Sequence, residues 1–265
     1  MAQINFIPPT RLQIRKRPPF LFRKGGAAHF WLPGCKEKTA YTYIRKNACT
    51  AFKKLIISQL GMEMSVVDGN EDFKKMEAAK ISSIRELKAA QNIIFVYRDP
   101  AERIISLFLN KFVEKRGAID IRKNFKDITG KDPDYTSFNS FLTMYNMQKW
   151  KHLDPHNLPQ LFHLAPVEYT HAINIKKLNV EVCPVIGVQN TREFFRQRPN
   201  ASSVGGKSQG DLTDVPAIEL MQEAKIKGIP TPSCFLNHST TDYIKQRYSM
   251  DYKMIADIER QSFSN

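Results

Sequence analysis

The chain has no run of about 20 apolar residues, so nothing in its sequence reads as a membrane-spanning helix. Its opening segment, MAQINFIPPTRLQIRKRPP, has no apolar core of the length a secretory leader needs. Cysteine is scarce. Cys35, Cys49, Cys183 and Cys234 form no C-x-x-C pair and no metal-ligand spacing, so free thiols and no metal site are the expectation. No carboxylate cluster suggests a metal either. Negative charge is also in short supply: 26 acidic residues face 40 lysines and arginines, leaving a formal charge of +14. Such an imbalance calls for an anionic partner or substrate. Nucleic acid is one such partner, but the aromatic and basic interleaving of a nucleic-acid motif is missing. The length of 265 residues suits one sizeable core, and the whole chain is read as a single domain, 1–265.

Residues 39–60, TAYTYIRKNACTAFKKLIISQL, are the first informative stretch. Tyr41, Thr42, Tyr43 and Ile44 are β-branched or aromatic, which predicts a strand over Thr39–Ile44. Phe52, Leu55, Ile56 and Leu60 recur at helical spacing, and Gly61 is placed to stop that helix. The intervening Arg45-Lys46-Asn47-Ala48-Cys49-Thr50 loop is basic and opens a helix. A helix N-terminus presents amide donors and positive dipole charge to an anion. Ala48, Cys49 and Thr50 are small enough for close approach, Lys46 and Lys53 add charge, and Thr50 adds a hydroxyl. The loop contains no glycine, so it is not the G-x-x-x-x-G-K-[ST] nucleotide loop. On its own the stretch is also compatible with an ordinary turn whose cations face water.

Residues 92–113, NIIFVYRDPAERIISLFLNKFV, repeat the plan. Asn92–Tyr97 is an apolar run of the kind buried on both faces of a parallel sheet. Asp99 and Pro100 are a cap and a first-turn proline. Ile104, Ile105, Phe108, Leu109 and Phe112 predict the buried helix face, with Arg103, Ser106 and Asn110 on the other. Glu71–Ala90 reads as a crossover helix, with a small strand near Met64–Val67. A right-handed crossover of this kind makes the two strands parallel. Ligands of such sheets bind at the strands' carboxyl ends.

The two segments RKNACTAFKK and YRDPAERIISLFLNKF resemble the cofactor motifs of the sulfotransferases. The likeness is to the carbohydrate sulfotransferases related to the HNK-1 and heparan 2-O enzymes and their bacterial relatives. It covers about a tenth of the chain. Lys46, Ala48, Cys49, Thr50 and Lys53 match the motif that in this family cradles the 5′-phosphosulfate of PAPS (3′-phosphoadenosine 5′-phosphosulfate). Arg98, Asp99, Pro100, Arg103, Ser106 and Phe108 match the motif that holds the 3′-phosphate. Arg45 stands where proline is usual and Asn47 where a small apolar residue is usual, which bears on loop geometry. The resemblance implies an α/β, P-loop-like fold with a central parallel sheet flanked by helices. It implies PAPS as cofactor, PAP as product and a carbohydrate hydroxyl as acceptor. Animal members carry a membrane anchor, so this chain is expected to be a cytoplasmic, bacterial member. Cys49 is read as a packing residue.

Further along, Tyr135–Met147 predicts an amphipathic helix. The run Asp154-Pro155-His156-Asn157-Leu158-Pro159-Gln160 is similar to the family segment that carries the catalytic histidine, and His156 is the match. Asn157 replaces the usual aromatic, which points to an altered acceptor pocket. A sugar hydroxyl needs a base, and imidazole suits the task. His152 and Glu168 are the other candidate bases, Glu168 following an apolar run at Leu161–Val167 read as a strand. Asn190–Gln197 and Ala217–Lys227 are expected helices. The Ser- and Gly-rich loop at 198–207 resembles the segment that closes over the cofactor, with Ser202 and Lys207 as donors. Asp242–Met254, with Tyr248 and Asp251-Tyr252, resembles the closing helix. Residues 1–38 are a basic, Pro- and Gly-rich arm that either contacts an acidic glycan or is simply solvated. His29–Leu32 in that arm predicts a short strand. The set of cofactor ligands is therefore Arg45, Lys46, Asn47, Ala48, Cys49, Thr50, Lys53, Arg98, Ser106, Ser202 and Lys207. Lys46 and His156 are the catalytic pair, and Arg103 is structural. The competing readings are a heparin- or nucleic-acid-binding basic module and a P-loop nucleotide kinase.

Overall fold

A computed structural model describes residues 5–8, 28–65, 69–196 and 210–263. The basic residues from Arg11 to Lys24 lie outside the described residues, as do Ser202 and Lys207. The chain forms two compact units. The first comprises Met1–Arg98, Pro159–Pro199 and Lys253–Asn265, and the second Asp99–Leu158 and Asn200–Tyr252.

The first unit is built on a four-stranded sheet in the order β1 (Ala28–Trp31), β2 (Thr39–Tyr43), β3 (Asn92–Tyr97) and β4 (His171–Asn174). The β2–β3 and β3–β4 pairs are parallel. The β1 pair is antiparallel, so an antiparallel edge strand adjoins the central parallel strands. Helix α1 (Cys49–Gln59) buries Ala51, Phe52, Leu55, Ile56 and Ile57. Phe52 stacks on Tyr41 with centroids 3.9 Å apart. Gly61 takes φ of 71° and closes α1. The Met62 amide donates to the Ile57 carbonyl (3.0 Å) and the Gly61 amide to that of Ser58 (2.9 Å), a Schellman closure that needs a left-handed residue. Phe6, inside the expected arm, is buried and exchanges two main-chain bonds with Tyr169.

Three first-unit expectations fail. The single crossover helix over Glu71–Ala90 is broken into α2 (Gly69–Lys75), a 3₁₀ turn (Met76–Ala79) and α3 (Ile84–Lys88). Between them the Ile81 amide donates to the His29 carbonyl at 2.8 Å, so edge pairing to β1 displaces helix continuation. Ser83 then restarts the helix, its hydroxyl accepting from the Glu86 amide at 3.1 Å. No strand forms over the described part of Met64–Val67. The Leu161–Val167 run is also no strand: Pro159 starts a 3₁₀ turn over Gln160–His163. Its apolar residues pack as core, and the strand forms at His171–Asn174.

In the second unit, α4 (Pro100–Phe108) continues as a π-helical turn, Leu109–Val113, and is followed by α5 (Ile119–Thr129). Its core is aromatic: Phe108, Phe112, Phe125, Phe138, Phe141, Tyr145 and Phe235 are all buried. Edge-to-face contacts such as Phe112–Phe125 (5.3 Å) add specific attraction to burial. The helix expected over Tyr135–Met147 starts later, at Phe138, because Ser137 caps it and Pro133–Tyr135 is a separate 3₁₀ turn. The closing helix is two helices, His238–Arg247 and Ser249–Phe263, with Tyr248 at their junction. Among the described residues no helix is long and apolar enough to cross a membrane.

Candidate functional site

The first loop leaves β2 at its carboxyl end and is held by backbone rather than by glycine. Lys46 and Ala48 adopt φ of 69° and 57°, left-handed values that cost a non-glycine residue about 1–2 kcal/mol each. Between them Asn47 is fully buried. Its main-chain amide donates to the Ile44 carbonyl at 3.2 Å. That bond engages the Asn47 amide within the chain. Alternation in the sign of φ along successive amides is the geometry that forms anion-binding concavities. Lys46 is half-buried there. Arg45 lies over the Tyr43 ring, 5.7 Å from its centroid. Cys49 bonds the Tyr43 hydroxyl, whose ionisation burial pushes well above the ordinary range, in keeping with a packing role for the thiol. Thr50 opens α1. Lys53, one turn on, is engaged by the buried carboxylate of Asp72 at 3.4 Å.

Arg98 leaves the carboxyl end of β3, beside the first loop. Its Nη1 lies 3.5 Å from the Lys46 carbonyl oxygen. The Asn47 side chain spans the same two strands, Nδ2 donating to the Val96 carbonyl at 2.9 Å. It also donates to Gln160 Oε1 at 2.6 Å. Gln160, fully buried, accepts from the Arg98 amide (2.9 Å) and donates to the Arg98 carbonyl (2.8 Å). Thus Lys46 and Arg98, assigned to different phosphates, lie side by side in the first unit, at the strand ends where ligands of parallel sheets bind.

In the second unit Asp99 caps α4 by accepting from the Glu102 amide at 2.9 Å, ahead of Pro100. Ser106 is half-buried on α4. Arg103 does not share an exposed face with it: Arg103 is 1% exposed and Nη2 donates to the His156 carbonyl at 3.2 Å. That bond helps to set the position of the histidine's main chain. Asp154 sets its ring. One oxygen of Asp154 accepts from the His156 amide (2.8 Å) and lies 2.6 Å from His156 Nδ1. The two side chains are 22% and 10% exposed. A carboxylate accepting from Nδ1–H favours the tautomer that carries no proton on Nε2. Asp154 is itself held, its amide donating to Asn124 Oδ1 at 3.0 Å and to the Tyr145 hydroxyl at 3.3 Å. Asn157, in the place of the usual aromatic, bonds within the second unit. It is buried, its carbonyl accepting from Tyr248 (2.8 Å) and its side chain from Asn146 (3.4 Å). His152 and Glu168 are exposed.

The model of the sulfotransferase family matches residues 34–177, more than half of the chain. The chain belongs to the sulfotransferase family. The matched span holds both loops, Arg98, the Asp154–His156 pair and Gln160. Comparison with curated proteins and with solved structures returns no significant match.

Two elements of this sulfotransferase escaped sequence reasoning. Gln160 was only the last letter of a motif, and its contacts lie 62 and 113 residues away. Asp154 had a readable signal, since an Asx-Pro pair two residues ahead of a histidine favours a side-chain cap on that residue's amide. The replacement of a small apolar residue by Asn47 was the visible trace of the Gln160 bond.

Proposed function

We propose that this sulfotransferase uses PAPS and transfers its sulfuryl group to a carbohydrate hydroxyl, by in-line displacement at sulfur. The observation that carries the reading is the 3.5 Å approach of Arg98 to the Lys46 carbonyl, which supports two neighbouring cationic positions for one doubly phosphorylated nucleotide. The left-handed Lys46 and Ala48 fit a phosphate cradle, and Arg98 fits a phosphate clamp. When bound, PAPS supplies an activated sulfuryl group on a phosphate leaving group.

The residues of the chain then take these roles. Lys46 places an ammonium where negative charge develops, and the amides from Ala48 to Thr50 add preorganised donors. Arg98 binds the 3′-phosphate, and Ser106 is assigned to the same group by the family motif. Lys53, neutralised by Asp72, supports α1 more than it contacts ligand. His156 accepts the acceptor's proton at Nε2 while Asp154 holds Nδ1 and stabilises the imidazolium. The charge of +14 suits an acidic glycan as acceptor.

Calorimetric binding of adenosine 3′,5′-bisphosphate, AMP and ATP at two salt concentrations tests the cofactor. Binding that requires the 3′-phosphate is expected. Equal binding of all three, falling steeply with salt, marks a general polyanion-binding surface instead. His156→Ala should lower turnover about 10²–10⁴-fold with bisphosphate affinity nearly unchanged. A loss of only a few-fold reassigns the base to His152 or Glu168.

A further inference from the structure

Asn47 and Gln160 occupy the centre of the first unit's loop pair. Both are fully buried. Burying two primary amides without complete hydrogen bonding is costly, so such pairs are ordinarily replaced by apolar residues unless they specify a geometry. Here the geometry is specific. The Gln160 amide closes two bonds on the main chain of Arg98 (2.9 and 2.8 Å). Its oxygen also receives the Asn47 amide at 2.6 Å. Asn47 in turn holds the Val96 carbonyl at 2.9 Å. Its neighbours on either side, Lys46 and Ala48, are the two left-handed residues of the loop. Strain of that kind persists only where the surroundings over-determine it.

We propose that Asn47 and Gln160 form a positioning bracket that fixes the spacing between the Lys46 loop and Arg98, and so selects a nucleotide whose two phosphates are spaced as in a 3′,5′-bisphosphate. The inference rests on the PAPS reading above and deepens it: specificity for phosphate position comes from two residues that touch no phosphate. Gln160 acts on Arg98 through its main chain, and Asn47 acts on Lys46 through the loop. Losing either releases the same strut, so the two substitutions share one effect and do not add.

The test uses the full chain and two isomers of equal charge, adenosine 3′,5′-bisphosphate and adenosine 2′,5′-bisphosphate, with AMP as reference. Dissociation constants are measured for the wild type, Asn47→Ala, Gln160→Ala, the double variant and Arg98→Ala. The wild type is expected to favour the 3′,5′ isomer. Each single variant is expected to lose about tenfold of that preference, and the double variant no more than either single one. A purely structural role lowers stability but leaves the ratio between isomers unmoved in the folded fraction. Folded variants with the wild-type ratio therefore overturn the bracket, as does a double variant whose loss is the product of the singles. A wild type that does not distinguish AMP from the 3′,5′ isomer overturns the PAPS reading itself. Should the truncations fail to fold, Gln160→Met and Asn47→Leu keep the volume and remove the bonds, and the same ratio is read.

Discussion

The two strand–loop–helix segments share a plan and differ in how the loop is held. In the second, short-range chemistry suffices: Asp99 accepts from the Glu102 amide, and Pro100 presets the first turn. In the first, α1 has no side-chain cap, and its cap residue Ala48 is left-handed at φ 57°. Long-range bonds from Asn47 hold that loop to Val96 and Gln160. A loop fixed by its own neighbours is robust and forms wherever its sequence goes. A loop fixed from 113 residues away can be strained into a shape that local preference rejects. The second loop ends a strand with the side chain of Arg98. The first shapes the backbone itself, with left-handed Lys46 and Ala48.

Function should divide along the same line. Lys46→Ala should cut turnover about 10²–10³-fold, the equivalent of losing a preorganised donor at roughly 2.7–4 kcal/mol. Arg98→Ala should instead weaken bisphosphate binding, with a smaller effect on turnover at saturation. Steady-state kinetics beside calorimetry separates them, and matching profiles for the two variants erase the distinction.

The difference extends beneath the loops. Under the first, His29 on β1 is buried with Nδ1 2.8 Å from the Thr42 hydroxyl, and burial lowers its pKa to about 4 from 6.5. The folded state keeps His29 neutral where the unfolded chain takes up a proton. The stabilising difference is thus complete above about pH 6.5 and lost as pH falls to about 4, to the extent of about 3 kcal/mol. Urea unfolding of His29→Gln should show a shallower loss over that window than the wild type. Parallel curves show that His29 is not the group responsible.

The smallest effects compare the caps directly. Asp99→Ala should destabilise by about 1 kcal/mol. Ala48→Gly should be neutral to about 1 kcal/mol stabilising, because relief of the left-handed strain offsets the entropy glycine adds to the unfolded chain. Chemical denaturation reads both. Destabilisation by Ala48→Gly as large as that by Asp99→Ala shows that the first loop is not strained.

Much of this chain was legible in one dimension. Strands β2 and β3, the caps at Asp99 and Gly61, the helix at Ala217–Lys227 and the basic loop at 45–50 depend on residues within one turn of each other, where propensity and capping act. The candidate histidine was legible through its motif. Tertiary structure decided the rest. Edge pairing of Ile81 to His29 broke the crossover helix, and β3 drew its neighbour strand from His171–Asn174 in place of the more apolar Leu161–Val167. Arg103, placed by helical periodicity on an outer face, is buried against the His156 carbonyl. Asn47 looked like a departure from a motif and is the strut of the loop. Its partner stands 113 residues away, and a buried hydrogen bond between distant residues leaves no periodicity for a sequence to display.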